Sequence, residues 1–283
     1  TPQSLADEIV VIPKERYRIM TRYLKQQGAD AWWMMRATAG MQVNLDAADP
    51  VSAARLLRLL LRAAPVLTAL YANSPVAQGR NTRWLSRREQ IWLAVDPARC
   101  GYPTRSLQPD AQLDDYVEWA LDAPMFFVMR DEHLVDMTGV SFRQFVERPV
   151  HGVEARMDDW QLHLTTLFPE VRLKRYLEMR CIDTNRPPLA LSLAALSSGL
   201  AYGGAAVWDL AEAVLGGWEL EQHRRFHLEC MRVGGLAVAP DGRTAGAIAR
   251  ELLAVARRGL IEWSPSDVEF LEPAEALAAS GQS

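Results

Sequence analysis

Two short segments of this chain alternate apolar and polar residues, which is the pattern of a β-strand that buries one face. They are residues 37–46 and 172–183. The polar positions of the two segments are Thr38, Gln42, Asn44 and Asp46 in the first and Lys174, Tyr176, Glu178 and Arg180 in the second. Two such strands, far apart along the chain, predict a sheet that packs one face on a core and leaves the other face polar.

Most of the remaining chain repeats with the period of an amphipathic helix. A hairpin over 125–137, connected through residues 131–133, adds antiparallel pairing. Helices are predicted at 14–27, 50–71, 114–121, 141–146, 158–167, 189–200, 205–215, 219–233, 244–258 and 264–279.

Two consecutive prolines, Pro187 and Pro188, mark a boundary, because the residue before a proline is pushed away from the helical conformation. We expect a sheet-containing region over 1–186 and a helical region over 187–283, packed on the same domain. The sequence therefore predicts an α+β fold.

The composition is that of an ordinary globular protein, because 49% of the 283 residues are hydrophobic and 23% are charged. A net charge of −4 gives no general attraction for nucleic acid. The three cysteines, Cys100, Cys181 and Cys230, form no C-x-x-C pair and no disulfide framework, so a reducing cytoplasm is expected. The longest apolar run, 189–206, is broken by serines and glycines, and no membrane span is predicted.

Glu178 lies among basic residues, since Arg172, Lys174, Arg175 and Arg180 are all within a few positions of it. One interpretation is a solvated sheet surface. The other is a site for Mg²⁺ and a polyphosphate, in which the carboxylate binds the ion and the basic side chains neutralise phosphate oxygens. The residues alone leave both interpretations open.

Two further groups of polar residues also have alternative interpretations. Gln42 and Asn44 either close a buried hydrogen-bond network or bind the carboxylate or ammonium group of a substrate. The basic and aromatic segment 84–92, which contains Arg88, is either an exposed loop or an arginine fork for an amino-acid carboxylate. His163 is interpreted as a hydrogen-bonded structural residue.

Several common catalytic motifs are missing from the sequence. It contains no G-x-x-x-x-G-K-[ST], G-x-G-x-x-G, G-x-S-x-G or H-E-x-x-H. The sequence therefore does not support a P-loop NTPase, a Rossmann dehydrogenase, an α/β-hydrolase or a zincin. A nucleotide would have to be held in another way.

A set of longer motifs occurs in a fixed order along the chain. They are PKERYRIM at 13–20, MMRATAGMQVNLD at 34–46, ANSP at 72–75, SRREQIW at 86–92, DMTGVSFRQF at 136–145 and the run 163–180. On these motifs the sequence resembles the plant-type and proteobacterial glutamate–cysteine ligases, which have relatives in ergothioneine biosynthesis. The resemblance covers most of residues 10–260 and is densest up to Asp183.

The resemblance implies a fold related to that of glutamine synthetase. Such a fold has a curved, largely antiparallel sheet, with the active site on its concave polar face and helices outside. It also implies an ATP- and Mg²⁺-dependent enzyme that joins the side-chain carboxylate of glutamate to the amine of cysteine. The product is γ-glutamylcysteine, in the first step of glutathione biosynthesis.

The same resemblance implies roles for individual residues. Glu178 is expected to ligate the metal, and Arg180 to contact the ATP phosphates. Gln42 and Asn44 are expected to line the glutamate and metal region, and Arg88 to bind the glutamate substrate. Arg180 and Glu178 are thus the predicted catalytic residues, while Arg172 and Lys174 join Arg180 as predicted nucleotide-binding residues.

The sequence departs from the family pattern at its beginning. Family members carry further metal-binding glutamates on strands that precede the part matched here. We therefore expect either a partial chain or a second chain that supplies these strands. Two alternative functions stay open: a carboxylate–amine ligase with another acceptor, including one of ergothioneine biosynthesis, and a non-catalytic partner subunit.

Overall fold

The computed structural model describes residues 3–28 and 30–280. Its α-helices are α1 (Glu15–Gln27), α2 (Ala31–Ala37), α3 (Pro50–Leu70), α4 (Arg87–Val95), α5 (Leu113–Asp122), α6 (Phe142–Glu147), α7 (Met157–Leu164), α8 (Pro187–Tyr202), α9 (Ala205–Leu215), α10 (Leu220–Val233), α11 (Ala245–Trp263) and α12 (Glu272–Ser280). Its β-strands are β1 (Gly40–Leu45), β2 (Val76–Ala77), β3 (Arg80–Asn81), β4 (Cys100–Gly101), β5 (Phe127–Arg130), β6 (His133–Asp136), β7 (Phe168–Pro169), β8 (Val171–Leu173) and β9 (Leu177–Asp183). The predicted α+β fold, with largely antiparallel pairing and flanking helices, is confirmed.

The central sheet has three antiparallel strands in the order β1-β9-β8. Its strands come from the two segments that alternate in the sequence, so their pairing is confirmed. The prediction of one strand over 172–183 is wrong, because the chain turns at residues 174–176 and forms the hairpin β8–β9. Alternation continues through the turn and therefore hides it. The hairpin places Arg172 opposite Glu178.

A β-bulge in β9 controls which side chains share the polar face. Met41 lies opposite Ile182 but Val43 lies opposite Met179, so β9 has one extra residue between these pairs. Opposite residues in a sheet point to the same face, and a bulge shifts that alternation by one. Glu178 and Asp183 therefore both point to the polar face, although an odd number of positions separates them.

The predicted hairpin over 125–137 is confirmed as β5–β6, but it forms a separate two-stranded sheet. Asp131 and Glu132 make its two-residue turn, with φ of 44° and 64°. Positive φ at both positions matches the twist of the flanking strands. His133, expected in the connection, is the first residue of β6.

Helix α3 crosses the core, and most of its residues are buried. It continues through Pro65, which has no N–H for the carbonyl four residues earlier. That carbonyl belongs to Leu61, and the buried side chain of His223 on α10 lies near it. Burial lowers the pKa of His223 to about 4, so the imidazole is neutral.

All ten predicted helical segments overlap a helix in the described residues, whereas α2 and α4 were not predicted. The division at residue 187 stays a prediction; the main hydrophobic core contains residues from both sides of it. Among residues 3–28 and 30–280, no single helix has the length and apolar composition of a membrane span. Helices α8 and α9 together have that length and apolar composition, but the pair is bent by 114°.

Helices α8 and α11 approach each other at glycines. A Cβ atom added to Gly199 would lie 2.2 Å from the carbonyl oxygen of Ala256, and Gly259 faces Gly199 just as closely. Overpacking a tight contact costs about 1–3 kcal/mol or more. We expect Gly199→Ala to lower the free energy of unfolding by at least this amount, measured by chemical denaturation. Gly217→Ala is the control, because its added Cβ would meet only Arg62 at 3.5 Å; equal losses in both variants would contradict the prediction.

Candidate functional site

Glu178 is the centre of a cluster of cations on the polar face of the central sheet. It is 4% exposed. Arg172 donates to its Oε2 from Nε at 2.8 Å and from Nη2 at 2.7 Å, and Arg180 donates from Nη1 to its Oε1 at 3.1 Å. The Nζ of Lys174 lies 3.9 Å from Oε2. The structure therefore contradicts the solvated-surface interpretation of this strand face for Glu178.

Gln42 on β1 joins this cluster. In the amide orientation that matches its neighbours, Gln42 donates from Nε2 to Glu178 Oε1 at 2.6 Å and accepts at Oε1 from Arg180 Nη1 at 3.1 Å. Asn44 lies opposite Glu178 in the β1–β9 register and is exposed. The four residues expected to share one face, Gln42, Asn44, Glu178 and Arg180, are thus brought together. Their individual roles stay predictions.

The cluster has a surplus of positive charge, because three cations surround one carboxylate. Burial, followed by the nearby Arg172 guanidinium, lowers the pKa of Arg180 to about 10, so Arg180 is still charged at neutral pH. Arginine and lysine side chains in this arrangement suit phosphate oxygens. The cluster has the chemistry of a phosphate site.

The fit of Mg²⁺ to the same residues depends on Glu178. Four donor atoms, from Arg172, Arg180 and Gln42, already occupy its two oxygens, and a carboxylate offers about four lone-pair sites. Mg²⁺ in nucleotide sites commonly takes one or two protein carboxylates and completes its shell with phosphate oxygens and water. As they stand, the residues leave no free lone pair for the ion, and they fit Mg²⁺ only together with a nucleotide whose phosphate oxygens take over some of these donors.

Arg88 lies on α4, at the other end of β1. The interpretation of segment 84–92 as an exposed loop is wrong from Arg87 onward, because α4 begins there and Arg88 is 6% exposed. Ser86 caps this helix by accepting from the backbone N–H of Glu89 at 3.3 Å. Serine followed by glutamate three residues later is a sequence signature of a helix start, and it was the signal that was missed.

The guanidinium of Arg88 is held on one side only. Its Nη1 lies 2.5 Å from Glu89 Oε2. Its Nε is buried and has no hydrogen-bond partner within the described part of the chain. A buried donor without a partner is costly, so an acceptor that reaches this atom would be favoured.

A cavity of about 380 Å³ lies beside Arg88. Trp33, Ala37 and Ile91 supply apolar wall, and Ser74 and Asp183 supply polar groups. This mixture of an apolar wall with a few polar groups is typical of a small-molecule site. With Arg88 at its side, the cavity suits a small ligand that carries a carboxylate.

Asp183, which sequence reasoning missed, fixes the wall of this cavity. It is 2% exposed and accepts from Ser74 Oγ at 2.7 Å, Ser86 Oγ at 2.9 Å and the backbone N–H of Asn73 at 2.8 Å. Burial raises the pKa of Asp183, and these hydrogen bonds oppose the shift. Asp183 thereby ties the start of α4 to the 73–74 loop.

Gly40 leaves the space in which Arg88 lies. A Cβ atom at Gly40 would be 2.7 Å from Arg88 Nε and 2.8 Å from both Arg88 Nη2 and the carbonyl oxygen of Ile182. We expect Gly40→Ala to cost about 1–3 kcal/mol of unfolding free energy, from overpacking, measured by denaturation. In an Arg88→Ala background the cost of Gly40→Ala should be smaller, because only the Ile182 contact remains. An equal cost in both backgrounds would show that the Arg88 side chain is not the reason why position 40 has to be glycine.

Trp92 lies between the cation cluster and the cavity. The Cζ atoms of Arg88 and Arg180 lie 5.5 Å and 5.6 Å from its ring centroid. Its indole N–H donates to Thr38 at 3.2 Å. Two arginines on different elements therefore share one aromatic neighbour, which places the cavity next to the cation cluster.

His163 is buried and bonds to the carbonyl of Ala120 at 2.8 Å. Burial lowers the pKa of His163 to about 4. The prediction that it is a hydrogen-bonded structural residue is confirmed.

Comparisons with known proteins identify the family to which the chain is similar. Residues 1–283 match the glutamate-cysteine ligase family 2 (GCS2). Glutamate–cysteine ligase B, chloroplastic, of Oryza sativa subsp. japonica is 34% identical over 283 residues, covering 99% of this chain and 57% of the relative. The chloroplastic glutamate–cysteine ligases of Solanum lycopersicum and Arabidopsis thaliana are each 33% identical, over 97% and 99% of this chain and 53% and 54% of the relatives.

The chain thus spans just over half the length of these curated relatives. The match nevertheless includes both the central sheet and the helix that carries Arg88. The chain belongs to the glutamate–cysteine ligase family 2.

Proposed function

We propose that this chain contributes the glutamate and nucleotide sites of an enzyme that uses ATP and Mg²⁺ to join the side-chain carboxylate of glutamate to the amine of cysteine. The product is γ-glutamylcysteine, in the first step of glutathione biosynthesis. The observation that carries the proposal is the adjacency of Arg88 and Arg180 across Trp92. Phosphoryl transfer requires the two reactants to meet in line, so their sites have to adjoin.

The proposed reaction has two steps. The γ-phosphoryl group of ATP moves to an oxygen of the glutamate side-chain carboxylate, the bond to the β-phosphate oxygen breaks, and ADP leaves. The cysteine amine then attacks the carbonyl carbon, an amide bond forms, and inorganic phosphate leaves as the amine loses a proton. A free carboxylate is a poor electrophile, and the phosphate leaving group overcomes this.

The residues supply binding and electrostatic stabilisation. Arg88 would hold a carboxylate of glutamate in the cavity. Arg180, with Arg172 and Lys174, would stabilise the negative charge of the transferring phosphoryl group. Mg²⁺, when bound beside Glu178, would add positive charge at the phosphate oxygens. The cysteines need no catalytic role, and all three are buried.

The crowding of Glu178 gives a prediction about the metal. Because Arg172, Arg180 and Gln42 occupy its oxygens, we expect Mg²⁺ alone to bind weakly and Mg²⁺ with a non-hydrolysable ATP analogue to bind at least tenfold more tightly. Titration calorimetry with Mg²⁺, with and without the analogue, measures this. Glu178→Gln should abolish the increase in Mg²⁺ affinity that the analogue produces. Tight binding of Mg²⁺ without nucleotide would contradict the prediction.

A second candidate is a binding subunit that needs carboxylates from elsewhere for turnover. The observation that favours it is the positive surplus of the cluster, in which Glu178 faces Arg172, Lys174 and Arg180. Further carboxylates, from other residues of a longer protein or from a second chain, would balance it. A third candidate is the same ligation chemistry with another amine, including an acceptor of ergothioneine biosynthesis.

One experiment separates these candidates. The chain is incubated with ATP, Mg²⁺, glutamate and a series of amines including cysteine, and ADP and the amide product are measured by mass spectrometry. Product with cysteine supports the proposed function, and product only with another amine supports the other ligase. Calorimetric binding of glutamate and nucleotide without turnover supports the binding subunit. Failure to bind either ligand refutes all three.

A cytoplasmic location, and the lack of nucleic-acid or membrane partners, stay predictions. The three free, buried cysteines are compatible with a reducing compartment. The names of the plant relatives place those proteins in chloroplasts.

A further inference from the structure

Two buried carboxyl groups lie behind the two arginines of the site. Glu89 on α4 is 1% exposed, and Glu170, between β7 and β8, is 3% exposed. Their carboxylate oxygens come within 4.8 Å of each other. Two negative charges this close in a buried position are strongly unfavourable, so the pair needs a cation, a metal or a proton.

Rigid elements hold both residues in place. The backbone N–H of Glu170 donates to Gly101 at 3.0 Å, and its carbonyl accepts from the backbone N–H of Arg180 at 2.9 Å. Glu89 lies in the first turn of α4, capped by Ser86. The backbone positions of both residues are therefore fixed by regular structure, and burial of both side chains limits the space into which the carboxyl groups can move.

A metal is not the partner of this pair. His227 is the third residue that approaches it, but both of its ring nitrogens are bonded. Thr68 donates its hydroxyl to the carbonyl of Cys181 at 3.2 Å, so it accepts from His227 Nε2 at 3.0 Å. Nδ1 then accepts from the hydroxyl of Tyr102 at 2.7 Å. His227 is thus neutral and has no nitrogen left for an ion.

Arg88 and Arg180 both lower the pKa of Glu170 through their charge, but their ion pairs are with other carboxylates. Arg88 pairs with Glu89 at 2.5 Å, whereas Arg180 donates to Glu178. The space enclosed near the pair is about 10 Å³, room for one water at most. The other facing groups, Tyr102, Cys181 and His227, carry no positive charge. Burial, followed by the charge of Glu89, raises the pKa of Glu170 well above its usual range.

We propose that Glu89 and Glu170 share one proton, with Glu170 as the neutral donor and Glu89 as the charged acceptor that positions Arg88 for the ligand carboxylate. This assignment deepens the proposed function and rests on it for the identity of the ligand. Glu89 is a positioning residue, because it acts on the substrate only through Arg88. Glu170 keeps the carboxylate of Glu89 directed at that arginine.

The two members of the pair respond differently to an amide. Glutamine resembles a protonated carboxyl group, since it can still donate a hydrogen bond, so Glu170→Gln should weaken glutamate binding threefold at most. Glu89→Gln removes the charged partner of a buried arginine and should weaken glutamate binding at least tenfold. Nucleotide binding should change less than threefold in both variants. Glu89→Asp, which keeps the negative charge, should lose less glutamate affinity than Glu89→Gln.

Calorimetry with glutamate and with an ATP analogue measures these changes, and thermal unfolding confirms that each variant is folded. Equal loss in Glu89→Gln and Glu170→Gln, or a larger loss in Glu170→Gln, overturns the assignment. Infrared spectroscopy tests the proton without any ligand. At neutral pH the difference between wild type and Glu170→Gln should contain the C=O stretch of a protonated carboxyl group.

A difference spectrum without that band also overturns the assignment. If the wild type binds neither glutamate nor nucleotide, the proposed function fails, while the infrared result still decides whether the pair holds a proton.

Discussion

Arg180→Met should reduce the rate of glutamate- and cysteine-dependent ADP release at least 10³-fold. An arginine that stabilises a transferring phosphoryl group contributes about 10³–10⁵ in rate. Arg180 and Arg172 are both buried members of the cation cluster, and Arg180 also adjoins the cavity through Trp92. The loss should fall mainly on kcat, because the charge that Arg180 stabilises develops during transfer. Initial rates at saturating ATP and glutamate measure it.

Arg175→Met is the matched control for this prediction. Arg175 lies on the same hairpin, at the turn between β8 and β9, but it is exposed. Its loss removes the same charge from the same part of the sequence without touching the polar face. We expect its rate to stay within threefold of wild type. A fall of less than tenfold in Arg180→Met would exclude Arg180 from phosphoryl transfer.

The polar face of the sheet was predictable from sequence because burial of one strand face imposes a period of two. That period identified Gln42 and Asn44 on one strand and Glu178 and Arg180 on another. The bulge in β9 was not predictable, because one extra residue leaves the local sequence pattern unchanged. It nevertheless shifts the side chains that follow it to the opposite face of the strand. Asp183 was therefore not recognised as a member of the same face.

The environment of Arg88 could not be predicted from the local sequence, for a different reason. The counter-charge comes from the neighbouring Glu89, but two other residues that define this environment come from distant parts of the chain: Gly40 provides space, and Glu170 lies close to the Glu89 carboxylate. Only tertiary packing brings them together. A basic and aromatic segment therefore looks the same whether its arginines are solvated or buried. The helix start at Ser86 was the one local signal of its structure.

Arg88→Lys is expected to weaken glutamate binding roughly 30- to 150-fold, because one buried, charge-assisted hydrogen bond is worth about 2–3 kcal/mol. A guanidinium can contact Glu89 through Nη1 and still offer Nε to a ligand, whereas an ammonium is a point charge without this fork. Nucleotide affinity should stay within threefold of wild type, and calorimetry with each ligand separates the two effects.

Arg87→Lys is the matched control, since Arg87 neighbours the same cavity but already pairs with Asp30 at 2.8 Å and is partly exposed. We expect it to weaken glutamate binding no more than threefold, and similar losses at both positions would mean that the cavity attracts its ligand by general positive charge rather than through the free side of Arg88.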